Sequence, residues 1–141
     1  MKIVVVGLGN QGMKRLATAT ERVVASVDPV NPDATHRDLS ELPLKSYEAA
    51  FVCTPEDQKF EIVEYLLANG KHVLVEKPLL VPRQSELVRL GKLALANAAV
   101  LYTAYNHRFE PNVCRLKTTL EAGDLGRIYR CRFFYGNGTA S

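Results

Sequence analysis

The chain has 141 residues, 47% of them hydrophobic and 23% charged, which is enough for one ordinary hydrophobic core and fits a soluble globular protein. Lys and Arg number 18 against 15 Asp and Glu, and the net charge of +3 is too modest to point to nucleic acid or an anionic membrane surface. No run approaches the roughly 18 apolar residues needed to span a bilayer. The opening run Met1–Val6 is short and broken by Gly7 and Gly9, where a secretory signal would continue. The three cysteines, Cys53, Cys114 and Cys131, are far apart and form no CxxC or Cys/His pattern, so neither a metal site nor a disulfide framework is expected. A reducing, cytoplasmic setting is the expectation.

In chain order, Lys2–Val6 is a continuous β-branched run, as in a strand buried on both faces of a parallel sheet. A helix is expected from Asn10 to about Ala19, and a strand over Arg22–Val27 ending at Asp28. Pro29–Ser46 is polar and holds three prolines, which predicts a loop where a regular βαβ repeat would place a helix. Ala49–Cys53 is the next strand. Pro55–Asn69 is the clearest helix: Thr54 is the expected N-cap, Pro55 suits the first position, and Phe60, Ile62, Val63, Leu66 and Leu67 make one apolar stripe. Gly70 is expected to end it in a left-handed conformation. Then come a strand at His72–Val75, a helix from Pro82 to about Asn97, a strand at Ala99–Thr103 and a helix at Pro111–Ala122 stopped by Gly123. The last element, Arg127–Tyr135, alternates in polarity as an antiparallel, half-buried strand would.

Strand–helix alternation implies an α/β fold, a doubly wound parallel sheet of the Rossmann type. The final strand has no sequence partner after it, so it reads as the first strand of an α+β substrate domain that continues beyond Ser141. The expected organisation is a dinucleotide-binding domain over residues 1–122 and the start of a second domain over 123–141.

Three motifs carry chemistry. Gly7-Leu8-Gly9-Asn10-Gln11-Gly12 directly follows the first strand and opens a helix, the context that gives a GxGxxG pattern meaning. Gly7 permits the tight turn, Gly9 lets the backbone approach a pyrophosphate, and Gly12 lets helix and strand pack closely. Asp28, at the end of the second strand, is placed to accept hydrogen bonds from the adenosine ribose and to repel a 2′-phosphate. Pro29 follows it, with no Arg or Lys in the adjoining sequence, so NAD is expected over NADP. Glu76-Lys77-Pro78 follows the strand His72–Val75, where loops of open α/β sheets bind ligands. From chemistry alone this segment is either a lysine aimed at a substrate hydroxyl or carbonyl, or a solvated ion pair.

Taken in order, Gly7–Gly12, Thr54-Pro55, the run Gly70-Lys71-His72-Val73-Leu74-Val75-Glu76-Lys77-Pro78, the run Tyr105-Asn106-His107-Arg108-Phe109-Glu110-Pro111 and Gly123–Ile128 resemble the glucose–fructose oxidoreductase / inositol dehydrogenase / rhizopine-catabolism (Gfo/Idh/MocA) family. The resemblance covers essentially the whole chain. It implies a two-domain NAD(P)-dependent oxidoreductase acting on a secondary alcohol or ketone of a sugar, inositol or sugar nucleotide, and commonly a homo-oligomer. It implies that Lys77 is the catalytic lysine, in a Lys77–Pro78 bond that is often cis in such proteins. It also implies that Thr54 and Pro55 line the cofactor cleft, and that Asn106 and Arg108 sit beneath the nicotinamide and at the substrate-side rim. Leu8, Asn10, Gln11 and Glu76 complete the expected cofactor-binding set.

The chain departs from the family pattern in two places besides its length. Position 59 is Lys where many members carry His, and the stretch after Asp28 is abbreviated. His36, His72 and His107 share no ligand spacing. Arg127, Arg130 and Arg132 read as one face of the last strand rather than a nucleic-acid patch. The expectation is a chain that binds NAD without turnover of its own, the competing reading being a stand-alone dinucleotide-binding or sensing module without chemistry.

Overall fold

The computed structural model describes residues 1–81, 83–134 and 136, and its contacts divide the chain into two compact units, Met1–Tyr105 and Asn106–Ser141. The first unit is built on strands β1 (Ile3–Val6), β2 (Val23–Val27), β3 (Ala49–Val52), β4 (His72–Val75) and β5 (Leu101–Thr103), all paired parallel in the order β2-β1-β3-β4-β5. Helices α1 (Asn10–Thr18), α2 (Glu56–Ala68) and α3 (Gln84–Ala96) connect them. This is the expected Rossmann-type α/β sheet. Chain order reverses between β1 and β3, and at such a switch point loops diverge and leave a crevice at the carboxyl ends of the strands.

β1 is buried on both faces, whereas Phe51 of β3, Leu74 of β4 and Tyr102 of β5 are only half-buried on the face away from α2 and α3. Val4, Val6, Ala50, Val52, Val73 and Val75 pack with Val63, Leu66 and Leu67 of α2 and Leu90 and Ala94 of α3 in one continuous core. Ile3 and Val5 are equally buried but lie outside that cluster, on the opposite face by the two-residue period of a strand, where α1 contacts β1 and β3. The connection from β2 to β3 makes two 3-10 turns, Leu39–Glu41 and Leu44–Ser46, instead of a helix. It still covers the sheet: Leu42 and Tyr47 are buried and Leu39 packs against the same core.

Two local expectations, the N-cap of α2 and the last strand, differ from what forms. The cap of α2 is Pro55, with no side-chain capping bond, so Thr54 is one residue too early to be the N-cap and its hydroxyl is left for another use. The expected start of α3 at Pro82 lies outside the described residues. The unit boundary falls between Tyr105 and Asn106, which groups α4 (Pro111–Ala122) with the residues after it rather than with the sheet. Finally, residues 127–134 form no strand, and Tyr135 lies outside the described residues. An alternating pattern supplies a face to bury but not the ladder partner whose hydrogen bonds make a strand. Within the second unit, α4 ends at Gly123, as expected, and Gly123 takes the left-handed conformation (φ 77°).

Candidate functional site

The β1–α1 turn is shaped by what its glycines cannot carry. Gly7 adopts φ 89°, and a Cβ there would stand 2.8 Å from the Thr54 backbone nitrogen. A Cβ on Gly12 would stand 1.8 Å from the Gly7 carbonyl oxygen. These two positions seat the first turn of α1 on the end of β1 and bring the turn against the β3–α2 loop. Gly9 differs: a Cβ there meets nothing within 4 Å. It faces open space beside the start of α1, whose first N–H groups have no carbonyl a turn earlier in the helix to bond to. Free donors and the helix dipole make that space suited to an anion, and a side chain on Gly9 would fill it.

Asp28 lies at the end of β2, beside this turn. Its Oδ2 accepts a hydrogen bond from the Leu8 N–H (2.7 Å), and its Oδ1 accepts from the N–H groups of Val30 (2.9 Å) and Asn31 (2.8 Å). The Asn31 N–H, with smaller contributions from Leu8, Val30 and the Arg37 charge, holds the Asp28 carboxyl below its ordinary value against the opposing effect of burial. A carboxyl depressed in the folded state stabilises the fold fully above its unfolded pKa of about 4, and loses that contribution as pH falls through the folded value. Comparing urea midpoints at pH 6 and pH 3 is therefore expected to show a larger acid loss for the native chain than for Asp28→Asn. Equal losses would contradict this.

Sequence adjacency missed three side chains here. Asn31 donates its Nδ2–H to the Leu8 carbonyl (3.1 Å). Arg37, nine residues after Asp28, donates to the carbonyls of Asn31 (2.6 Å) and Asp28 (3.4 Å). The expectation that no cation lies near Asp28 is thus corrected: a bridge between Val27 and His36 folds the loop back and brings Arg37 in. Arg15 of α1 donates from Nε (2.8 Å) and Nη2 (2.5 Å) to Oε1 of Glu76, at the end of β4. Helical position, not motif spacing, places it there, and no short-range signal marks it.

Across the switch point, a cleft of about 590 Å³ is walled by Gln11 of α1, residues 53–57 and Lys59 of the β3–α2 segment, and Glu76 and Lys77 after β4. Gln11, Thr54, Pro55, Glu76 and Lys77 were all expected at a cofactor site, and three separate stretches of sequence bring them together. Lys77 is exposed, and its bond to Pro78 is cis. The Thr54 side-chain oxygen is buried without a hydrogen-bond partner, and such a group normally finds one. Lys59 is 3% exposed and donates from Nζ to the Pro78 carbonyl (3.0 Å). The Cys53 thiol is pushed up to about 12, first by burial and then by the Glu76 charge, so it is no nucleophile near neutral pH. Asn106 and Arg108 fall in the 3-10 turn Asn106–Phe109 of the second unit.

The donors at the start of α1, the open space at Gly9, the Asp28 carboxylate and the orphan Thr54 hydroxyl fit a dinucleotide laid across the switch point. Among the described residues no group of His, Cys, Asp and Glu could hold a metal ion, and no helix is long and apolar enough to cross a membrane.

Comparison with known proteins agrees with the fold. Residues 1–105 match the family model GFO_IDH_MocA, described as "Oxidoreductase family, NAD-binding Rossmann fold". The chain is 31% identical over 144 residues to a 1-carboxy-3-chloro-3,4-dihydroxycyclohexa-1,5-diene dehydrogenase of Comamonas testosteroni, covering 91% of this chain and 36% of that protein. It is 26% identical to the myo-inositol 2-dehydrogenase of Thermotoga maritima, covering 94% and 44%. The solved structure of the WlbA dehydrogenase of Bordetella pertussis, in complex with NADH and UDP-GlcNAcA, shares the fold at a TM-score of 0.76 and 23% identity, covering 91% and 44%. The chain thus spans less than half the length of these relatives. With the family model matched over residues 1–105, the chain belongs to the Gfo/Idh/MocA oxidoreductase family and carries its NAD-binding Rossmann domain.

Proposed function

We propose that this chain supplies the dinucleotide-binding part of an oxidoreductase that moves hydride between NAD(H) and a CH–OH or C=O carbon of a sugar, inositol or sugar nucleotide. The observation that carries the reading is the convergence of the glycine turn, Thr54-Pro55 and Glu76-Lys77 on one cleft that holds a buried, unpartnered hydroxyl. The names of the relatives point to hydroxylated rings as the substrate class. When bound, the nicotinamide supplies the hydride chemistry. The chain's own residues hold and orient: the start of α1 takes the pyrophosphate, Asp28 the adenosine ribose, and the Thr54 hydroxyl a polar group of the nicotinamide half. Lys77 hydrogen-bonds the reacting oxygen and assists its proton transfer. Asn106 and Arg108 border the nicotinamide and substrate, and the complete protein works as a homo-oligomer. The remaining acid–base groups come from a substrate domain, so the 141-residue chain binds cofactor without turnover.

Calorimetric titration of the chain with NADH and NADPH tests this reading. NADH is expected to bind at least about tenfold tighter, a difference of about 1.4 kcal/mol. Gly9→Val is expected to weaken both by tenfold or more while leaving the fold intact, because its side chain enters open space rather than a packed wall. Absence of binding, or indifference to Gly9→Val, would overturn the reading, as would NAD-linked oxidation of a sugar by this chain alone.

A further inference from the structure

We propose that Lys59 sets which redox form of the cofactor the cleft prefers, favouring the neutral dihydronicotinamide ring over the cationic oxidised ring. This rests on the reading of the cleft as the dinucleotide site. Asp28 on β2 anchors the adenosine end, so the nicotinamide half lies across the switch point, where the wall is made by the β3–α2 segment and the end of β4. Lys59 is part of that wall.

What distinguishes Lys59 is its lack of a counter-charge. It is 3% exposed, yet the acceptor for its Nζ is the neutral carbonyl of Pro78. Among the described residues no carboxylate forms an ion pair with it. Glu76, the buried carboxylate of the same cleft, is engaged by Arg15. Glu56 and Asp57 also border the cleft, but both are exposed on the first turn of α2, where water and salt screen them. Lys77 is exposed as well, and its charge is screened in the same way. Lys59 lines the same wall as Cys53, Glu76 and Lys77.

A pyridinium ring carries one unit of positive charge that its reduced form lacks. At an effective dielectric constant of about 20, repulsion from one lysine on the cleft wall changes the affinity ratio of the two forms by roughly tenfold or more. The positional departure of Lys59 from the His common in the family therefore acts on the cofactor's redox state rather than on the grip of its phosphates.

The test is titration of the 141-residue chain with NADH and with NAD⁺, alongside Lys59→Gln and Lys59→Arg. Gln keeps an N–H that can serve the Pro78 carbonyl but removes the charge, while Arg keeps the charge. The native chain is expected to bind NADH more tightly than NAD⁺. Lys59→Gln is expected to reduce that preference by roughly tenfold, and Lys59→Arg to retain it. An unchanged NADH:NAD⁺ ratio in Lys59→Gln, or equal weakening of both nucleotides by both variants, would overturn the proposal while leaving the cleft assignment standing. Failure of the native chain to bind either nucleotide would overturn both.

Discussion

Gly12→Ala is expected to destabilise the chain by about 3 kcal/mol or more, the upper range for inserting a methyl group into packed structure. The added Cβ would stand 1.8 Å from the Gly7 carbonyl oxygen and 2.8 Å from the Gly7 carbonyl carbon. Neither is the end of a flexible side chain. Relief requires moving α1 away from β1 or reshaping the Gly7 turn, and that turn abuts the Cys53–Thr54 backbone, with 2.8 Å to Thr54 N for a Cβ at Gly7. The strain therefore spreads into the β3–α2 loop. Urea denaturation of the variant measures the effect directly. A loss below about 1 kcal/mol would mean that the turn is far more compliant than its contacts imply. The contrast with Gly9→Val separates the two glycine roles, since one substitution attacks the fold and the other only the space in front of it.

Arg15→Met is expected to cost about 2–4 kcal/mol, because it strands Glu76 rather than because it removes a strong attraction. The Glu76 side chain is 10% exposed and that of Arg15 25%, so the pair is largely withdrawn from water. Breaking one side of such a pair leaves an uncompensated carboxylate in a wall that also holds Cys53 and Thr54. Replacing both partners, Arg15→Met with Glu76→Gln, is expected to recover at least about 1 kcal/mol of that loss, since no buried charge then remains unpaired. Denaturation of Arg15→Met, Glu76→Gln and the double variant completes a double-mutant cycle. Additive losses would show that Glu76 finds water or another partner when Arg15 is gone.

The parallel sheet and the glycine turn were legible in the sequence because each rests on a local signal. Short β-branched, apolar runs mark the strands, and Gly7, Gly9 and Gly12 sit directly after the first of them. The stripe on α2 foretold Val63, Leu66 and Leu67 in the core. What was not legible depends on chain reversal or on partners. Arg37 reaches the Asp28 loop only because that loop doubles back, and Arg15 meets Glu76 across sixty-one residues of sequence. Position 59 carried no transferable role by motif, yet the helix buries its amine against the loop that holds Lys77. The alternation in 127–134 is a true pattern without a partnering strand to complete it.

Leu8 contributes a consequence of its own. The backbone N–H of this residue is bonded to Asp28 and its carbonyl to Asn31, so both polar groups of one glycine-turn residue are clasped by the loop after β2. The two segments proposed to cradle the nucleotide are mechanically joined. A redesign that exchanges Asp28 for a smaller or basic residue to admit a 2′-phosphate would also slacken the hold on Leu8, and with it the turn proposed to take the phosphates. Cofactor choice in this chain is for that reason not a modular trait. A productive redesign has to supply a new anchor for Leu8 together with the new charge.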